Sequence, residues 1–236
     1  MLRYLIFCLL VPGIAFANAD EDRFVAANLL SVFYHELGHA MIDVLGLPVF
    51  GQEEDAADVA SILMIDTFYE EDVAQDLAYD AAFGFWAEAE LGADAIYWDV
   101  HGPDEQRFFN TVCLFYGANP QARDGFAADM GLPEERADTC PEEYDLAMDS
   151  WGAVMDEIAG PGDSLIFDAD GKQSMTAELV GAEVAALNGD FIFPEPIAVR
   201  VAPCGEANAY YDPATVEIVM CTEFEAHLRA LFALIE

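Results

Sequence analysis

Residues 33–58 read FYHELGHAMIDVLGLPVFGQEEDAAD and contain the pattern that decides the fold. His35 and His39 are four residues apart, so on a helix they lie on one face, one turn apart. Glu36 directly follows the first histidine, and an acidic cluster begins at Glu53, fourteen residues after the second. Two imidazoles in this register can bind one divalent metal ion, with Glu36 beside the ion but not bound to it.

The residues around this pattern indicate a buried helix. Val32, Phe33 and Ala40 are apolar or small, and no lysine or arginine occurs between Arg23 and Arg107. A metal-binding helix needs such rigid, partly dry surroundings, whereas a chance match on an exposed helix usually has basic residues nearby. The pattern therefore favours a metal site over an ordinary helix that is followed by a solvated acidic face.

The composition excludes some classes of function. The chain has 236 residues, and 55% of them are hydrophobic, which is enough for the core of one domain. Its net charge of −37 results from 45 acidic and 8 basic residues. Such a surface repels phosphate backbones and anionic lipids, so nucleic-acid binding is excluded. The charge fits solubility in a salty habitat or attraction of cationic substrates, and the sequence leaves both open.

The first seventeen residues have the features of a secretory signal peptide. Arg3 precedes an apolar run from Tyr4 to Ile14, and residues 15–17 form an Ala-Phe-Ala cleavage pattern. The run is shorter than the ~20 residues that span a bilayer. We therefore expect a secreted or periplasmic protein without stable membrane insertion after cleavage, and an uncleaved anchor is the alternative. Residues 18–236 are expected to form a single domain.

Four cysteines follow the signal peptide: Cys113, Cys140, Cys204 and Cys221. An even number in an exported protein indicates two disulfides, and three pairings are possible. The midpoint between Cys204 and Cys221 falls between Asp212 and Pro213, which form a turn signal. A hairpin that turns there would place these two cysteines opposite each other. This favours the pair Cys204–Cys221, which leaves Cys113–Cys140.

The periodicity predicts a mostly helical α+β fold with a small sheet near the C-terminus. Helices are predicted over residues 20–47, 53–69, 72–91, 104–116, 141–158, 175–187 and 222–234. Strands are predicted over residues 197–202, 208–211 and 215–221, the last two as a hairpin. Residues 160–174, between the predicted helices at 141–158 and 175–187, are rich in Gly, Asp and Pro. Within this segment, DADGKQS (168–174) lacks the full ligand set of a calcium loop and is interpreted as a turn. This boundary separates a helical part (18–160) from a sheet-containing part (161–236).

The run at 35–39 is the H-E-x-x-H signature of the zincins, and residues 54–58 (EDAAD) resemble the E-x-x-x-D element of the glutamate zincins, such as the neprilysin-like peptidases. The residues alone leave the third ligand open among Glu53, Glu54, Asp55 and Asp58. The resemblance implies Glu54 as the ligand and Asp58 as the carboxylate that orients a ligand histidine. The other acids of the cluster then include solvent-facing residues, with Glu53 as the less favoured ligand.

Residues 208–211 resemble the Asn-Ala-aromatic segment with which neprilysin-like enzymes hold their substrate. In those enzymes the segment precedes the metal-binding helix, whereas here it follows that helix by about 170 residues. The resemblance therefore implies a zincin-like fold with a permuted order of sheet and helix. It also implies substrate binding by Asn208 and the Ala209 backbone, and Tyr210 or Tyr211 as an oxyanion donor. A disulfide-stapled hairpin in which these residues are structural is the alternative.

As a whole the mature chain resembles a bacterial family of zinc metallopeptidases described as a domain of unknown function. The resemblance rests on FYHELGHAMIDVLGLP (33–48), EEDAAD (53–58), HGPDEQRFFNTVCLFYGANP (101–120) and CGEANAYYDP (204–213). It implies an exported hydrolase that cleaves peptide or protein substrates with one zinc ion (Zn2+), bound by His35, His39 and Glu54.

In that reaction Glu36 is expected to act as the general base. The role of His101 is left open between a transition-state donor and a helix cap, and that of Asp43 between an orienting carboxylate and a polar helix end. A catalytically inactive zinc-binding scaffold or interaction module on a zincin frame is the alternative function. The sequence does not specify the substrate, the physiological role or the oligomeric state.

Overall fold

The computed structural model describes residues 19–92, 97–171 and 173–235, and the predicted signal peptide lies outside them. The described chain is mostly helical with one small sheet, so the predicted α+β class is confirmed. In chain order the elements are α1 (Ala19–Leu45), α2 (Glu53–Phe68), α3 (Glu71–Leu91), α4 (Asp104–Ala118), α5 (Asp124–Asp129), α6 (Glu134–Ala137), α7 (Cys140–Ile158), β1 (Leu165–Asp168), α8 (Met175–Asp190), β2 (Ile197–Ala202), β3 (Ala209–Asp212), β4 (Glu217–Cys221) and α9 (Thr222–Ile235). No helix in this part of the chain is long and apolar enough to cross a membrane.

Helix α1 lies at the centre of the molecule. Its large side chains, among them Phe24, Phe33 and Tyr34, are almost completely buried because α2, α3, α8, α9 and β3 all pack against it. A helix that is apolar on most of its circumference is stable only when neighbours cover it on most sides. Gly46 ends α1 with a φ of +60°, a backbone conformation that glycine adopts without steric cost.

The sheet has the strand order β1-β2-β4-β3. Strands β1 and β2 run parallel, as do β2 and β4, whereas β3 and β4 form the predicted antiparallel hairpin. Strand β3 is therefore an edge strand, and it packs against α1. Both favoured disulfides are confirmed: Cys204–Cys221 closes the hairpin and Cys113–Cys140 joins α4 to α7, with Cα–Cα distances of 5.4 and 5.2 Å.

Three short elements were not predicted from the sequence. Strand β1 lies inside the Gly-, Asp- and Pro-rich boundary at 160–174, and helices α5 and α6 have six and four residues. Such elements are too short to show a periodic pattern, and β1 forms only because β2 offers it a parallel partner. A turn at Asp170 and Gly171 follows β1 closely, with Gly171 at a φ of +69°.

The crossing of α1 and α2 is unusually close at Gly38. A Cβ atom at this position would lie 3.1 Å from the Cα of Ala57 and 3.3 Å from the Cβ of Ala60. Two turns further along α1 toward its N-terminus, the hydroxyls of Ser31 and Ser61 form a hydrogen bond of 3.1 Å across the same interface. Small residues on both helices therefore let the first turns of α2 approach the histidine-bearing face of α1.

We expect Gly38→Val to destabilise the protein, because the added methyl groups have no space between α1 and α2. Overpacking of this kind costs about 1–3 kcal/mol in the free energy of unfolding, which urea denaturation measures. Gly189→Val in α8 is the matched control, since nothing lies within 4 Å of a Cβ atom there. Equal stability of the Gly38→Val variant and the parent would show that the close crossing is not required.

Candidate metal centre

Three side chains that can bind a metal ion converge where α1 and α2 cross. His35 and His39 lie one turn apart in α1, and Glu54 lies in the first turn of α2. The two Nε2 atoms are 3.2 Å apart. Atom Oε2 of Glu54 lies 3.2 Å from Nε2 of His35 and 3.1 Å from Nε2 of His39. The fold thus brings the predicted triad together around one point.

The hydrogen bonds of the histidines fix their tautomers. Nδ1 of His35 lies 2.7 Å from Oδ1 of Asp58, and Nδ1 of His39 lies 2.8 Å from Oε1 of Glu53. A carboxylate only accepts hydrogen bonds, so Nδ1 of each ring carries a proton, and each ring presents a lone pair at Nε2 once its second proton is displaced. Two imidazole lone pairs and the Glu54 oxygen therefore face one another. A cation placed between them removes this repulsion.

The donor set and its spacing fit zinc. A tetrahedral zinc site with ligand distances of about 2.0 Å has ligand–ligand separations of about 3.3 Å. The three separations observed here are 3.1–3.2 Å. Two imidazole nitrogens and one carboxylate oxygen are also the ligands of many catalytic zinc sites, which keep one position open for water.

Asp58 connects the first histidine to a buried arginine. Its carboxylate accepts two hydrogen bonds of 2.8 Å from Nε and Nη2 of Arg107, whose guanidinium packs over the ring of Phe85 at 4.2 Å. Burial would raise the pKa of Asp58, but Arg107 and His35 hold it well below its usual range. Asp58 therefore stays ionised and holds the ring of His35 in one orientation.

The surroundings of the imidazoles are strongly negative. Burial opposes protonation of His35, but its hydrogen bonds to Asp58 and Glu54 outweigh burial and raise its pKa to about 9. The pKa of His39 is raised in the same way, against burial, by Glu54 and Glu53. A field that favours a proton on these rings also favours a metal cation beside them.

Glu36 is buried beside the histidines and lines the same cleft. Burial raises its pKa above the usual range, and the neighbouring His35 and His39 only partly offset this effect. The backbone N–H of Tyr211 donates a hydrogen bond to its carboxylate. A carboxylate with a raised pKa, held in place next to a candidate metal site, suits a general base.

The edge of β3 forms one wall of the cleft. The N–H of Cys221 donates to the carbonyl of Asn208 at 3.0 Å, so Tyr210 forms the next hydrogen-bonded pair with β4. Ala209 and Tyr211 therefore direct their backbone groups away from β4, toward α1. The side-chain amide oxygen of Asn208 accepts from the Ala209 N–H at 2.9 Å.

The tyrosine hydroxyl that contacts α1 belongs to Tyr211. It donates to Oδ2 of Asp43 at 2.7 Å, so Asp43 orients this phenol and not a ligand histidine. Both Tyr210 and Tyr211 line the cleft. In this structure the Tyr211 proton is directed to Asp43, so an oxyanion-donor role for either tyrosine stays a prediction.

His101 lies closer to the candidate metal centre than its place in the sequence indicates. It belongs to the loop before α4, and its Nε2 is 2.9 Å from Oε2 of Glu54. Its ring stacks against that of His35 with the centroids 6.0 Å apart. A helix-capping role is not observed, and His101 instead presents an N–H donor beside the ligand triad.

The cleft above the triad is open to solvent and has a volume of about 820 Å³. It is lined by Val32, His35, Glu36, His39, Ile42, Asp43, Gly46, Glu53, Glu54, His101, Arg107, Asn208, Ala209, Tyr210, Tyr211, Pro213 and Phe224. All predicted site residues thus lie at the cleft except Asp58, which supports His35 from behind.

Sequence reasoning missed two supporting residues. Glu53 was considered only as the less favoured ligand or as a solvent-facing acid, and its side chain is 52% exposed, yet it also orients His39. Arg107 was not assigned any role, although it is the first basic residue after Arg23 in a strongly acidic chain. The absence of other basic residues near Arg107 in the sequence could have indicated its role, because a lone arginine among many acids is more often paired with a carboxylate than free.

A comparison with protein families gives one match. The model of the DUF4344 family, described as "Putative metallopeptidase", matches residues 15–155 and 169–235. No curated protein and no solved structure matches the chain. Since the family match covers well over half of the sequence, this protein belongs to that metallopeptidase family, as its sequence motifs indicate.

Proposed function

We propose that this protein is an exported zinc-dependent peptidase of the glutamate-zincin type. The observation that carries the proposal is the convergence of His35, His39 and Glu54 at the floor of an open cleft, with Glu36 buried beside them. The metallopeptidase family supports the reaction class. The two disulfides support export, because disulfides persist in oxidising compartments.

His35, His39 and Glu54 would hold the zinc ion, which as a Lewis acid would lower the pKa of a bound water molecule to about 7 and polarise the substrate carbonyl. Glu36 accepts a proton from the attacking water and later donates it to the leaving amine nitrogen. The raised pKa of Glu36 suits both transfers, because the carboxyl group must accept and release a proton near neutral pH.

The walls of the cleft position the substrate. An extended peptide can add to the outer edge of β3, which pairs with no further strand of the described chain, with the backbone of Ala209 facing the cleft and Asn208, whose amide oxygen holds the Ala209 N–H, beside it. His101 then donates a hydrogen bond to the carbonyl oxygen as negative charge develops there. Its Nε2 lies 2.9 Å from the ligand oxygen of Glu54, and His101 lines the same cleft as β3.

The scaffold alternative is less well supported. A purely structural zinc site usually closes its fourth position with cysteine or histidine and needs no general base. The four cysteines in the described residues form disulfides, and Glu36 is held in the cleft by the Tyr211 N–H. An open cleft with a buried carboxylate next to the ligands favours catalysis.

The substitution Glu36→Gln tests the general base. We expect the variant to keep one zinc ion per chain, measured by plasma mass spectrometry after purification without added metal, because Glu36 is not a ligand. Its turnover of a peptide mixture should fall by about 10²–10⁴-fold, since the amide cannot accept the proton. His35→Ala should lose the metal as well as the activity. Cleavage by Glu36→Gln at the parent rate would contradict the assigned role.

The substitution Asp58→Asn tests the carboxylate behind His35. We expect zinc affinity, measured by competition with a chromophoric chelator, to fall about 10- to 100-fold because the ring loses its orienting acceptor. Asp55→Asn is the matched control, since Asp55 lies on the same helix but is exposed. Unchanged affinity in Asp58→Asn, or an equal loss in both variants, would argue against a specific role.

The substitution His101→Ala separates a transition-state donor from a further metal ligand. We expect kcat to fall about 10²–10³-fold with little change in KM or zinc affinity, because the lost hydrogen bond forms only as charge develops. His227→Ala is the control, because His227 pairs with Glu88 and does not line the cleft. A large loss of zinc affinity in His101→Ala would identify His101 as a ligand instead.

A further inference from the structure

The arginines of this protein do not offset its surface charge. The structure describes six of them, and each lies within 4.0 Å of at least one carboxylate: Arg23, Arg107, Arg123, Arg136, Arg200 and Arg229. Arg107 is the only arginine among the described residues that line the cleft, and Asp58 neutralises it. The potential around the cleft is therefore negative, whichever ligand enters it.

Carboxylates are concentrated at the end of the cleft where β3 meets α1. Asp43 lines this end, and Glu195 and Asp212 lie within electrostatic reach of the Tyr211 phenol. Burial and the hydrogen bond to Asp43 raise the pKa of Tyr211, and repulsion by Glu195 and Asp212 raises it further. No arginine or histidine in the described part of the chain forms an ion pair with Glu195 or Asp212.

The loops that precede α2 and α4 expose large apolar side chains next to the cleft in the chain. Phe50 and Trp98 are 98% and 86% exposed, and Val100 is also exposed. They belong to two loops that Gln52 joins, since its Nε2 donates to the carbonyl of Val100 at 3.1 Å. These loops lead directly into Glu54 and His101, so they lie beside the candidate metal centre, although their apolar side chains are outside the lining of the cleft. Exposed apolar groups beside a cleft are typical of a binding surface.

We infer that the cleft selects extended basic peptides that also carry a bulky apolar side chain, an inference that rests on the proposed peptidase function and names its substrate class. The outer edge of β3, which pairs with no further strand among the described residues, holds the peptide backbone. The carboxylates around Asp43, Glu195 and Asp212 attract lysine or arginine side chains, and Phe50 and Trp98 cover the apolar one. The same negative field rejects acidic peptides, so the preference includes repulsion as well as attraction.

A panel of internally quenched peptides tests the charge preference. The peptides share their length and a neutral centre with one phenylalanine, and they carry two lysines, two glutamines or two glutamates on each flank. We expect kcat/KM of the zinc-loaded parent to fall in the order Lys, Gln, Glu, with at least tenfold between the first and last at about 0.01 M salt. The difference should shrink below about threefold at 1 M salt, where the Debye length falls from about 30 to about 3 Å.

Two double variants with the same change in net charge test whether the carboxylates beside the cleft cause the charge preference. Glu195→Gln combined with Asp212→Asn should reduce the Lys-to-Gln ratio of kcat/KM about threefold for each carboxylate removed, the effect of one charge at about 6 Å in water. Glu134→Gln combined with Glu135→Gln changes the net charge equally on α6, whose residues do not line the cleft. That control should leave the ratio unchanged, and an equal drop in both variants would overturn the assignment to the cleft.

A double substitution tests the apolar side chains of the two loops. Phe50→Ala combined with Trp98→Ala should lower kcat/KM at least about fivefold for the phenylalanine peptide and much less for a peptide with alanine there, because the lost burial concerns only the larger side chain. Both positions are exposed, so the protein should keep its stability. Equal effects on the two peptides would exclude an apolar subsite at these loops.

Peptide binding to the inactive Glu36→Gln protein separates the preference for basic peptides from the peptidase function. A fluorescent lysine-flanked peptide should bind at least tenfold more tightly than its glutamate-flanked counterpart, as measured by anisotropy. Cleavage of all three peptides at similar rates would overturn the basic-peptide preference and leave the peptidase function intact. Selective binding without any cleavage by the zinc-loaded parent would instead overturn the peptidase function and keep the ligand class.

Discussion

The close crossing of α1 and α2 is the constraint on which the candidate site depends. Gly38 and Ala57 allow the two backbones to approach so closely that carboxylates from α2 reach both nitrogens of the imidazoles on α1. Glu54 and Asp58 are one turn apart, so they contact the same ring, His35, from opposite sides. The H-E-x-x-H motif thus needs its glycine for packing as much as its histidines for ligation. A bulkier residue at that position separates the two halves of the site.

Charge then specifies what the site can hold. Four carboxylates surround two imidazoles, namely Glu36, Glu53, Glu54 and Asp58, and Arg107 neutralises only one of them. Concentrated carboxylates repel one another, and this repulsion and burial raise the pKa of Glu36. A divalent cation at the triad relieves the repulsion. The site is therefore tuned to a cation by its net charge as well as by its individual ligands.

Most of the fold and the centre of the site follow from local sequence patterns. The long helices and the H-E-x-x-H spacing are periodic, so helix ends were predicted within a few residues and His35 and His39 were placed on one face. The hairpin and its disulfide followed from the turn at Asp212-Pro213. Contacts between distant segments were not accessible in this way. Arg107 reaches Asp58, and Tyr211 reaches Asp43, only through the tertiary packing of α4 and β3 against the helix pair.

The permuted order of helix and strand is consistent with the physics of the cleft. A peptide substrate requires a free strand edge beside the metal-binding helix, and it makes no difference whether that strand precedes or follows the helix in the chain. Here β4 holds β3 in place, because β4 pairs with β2 inside the sheet and the disulfide closes the hairpin. The outward N–H of Tyr211 then contacts Glu36, so one strand both presents a backbone edge and fixes the candidate base.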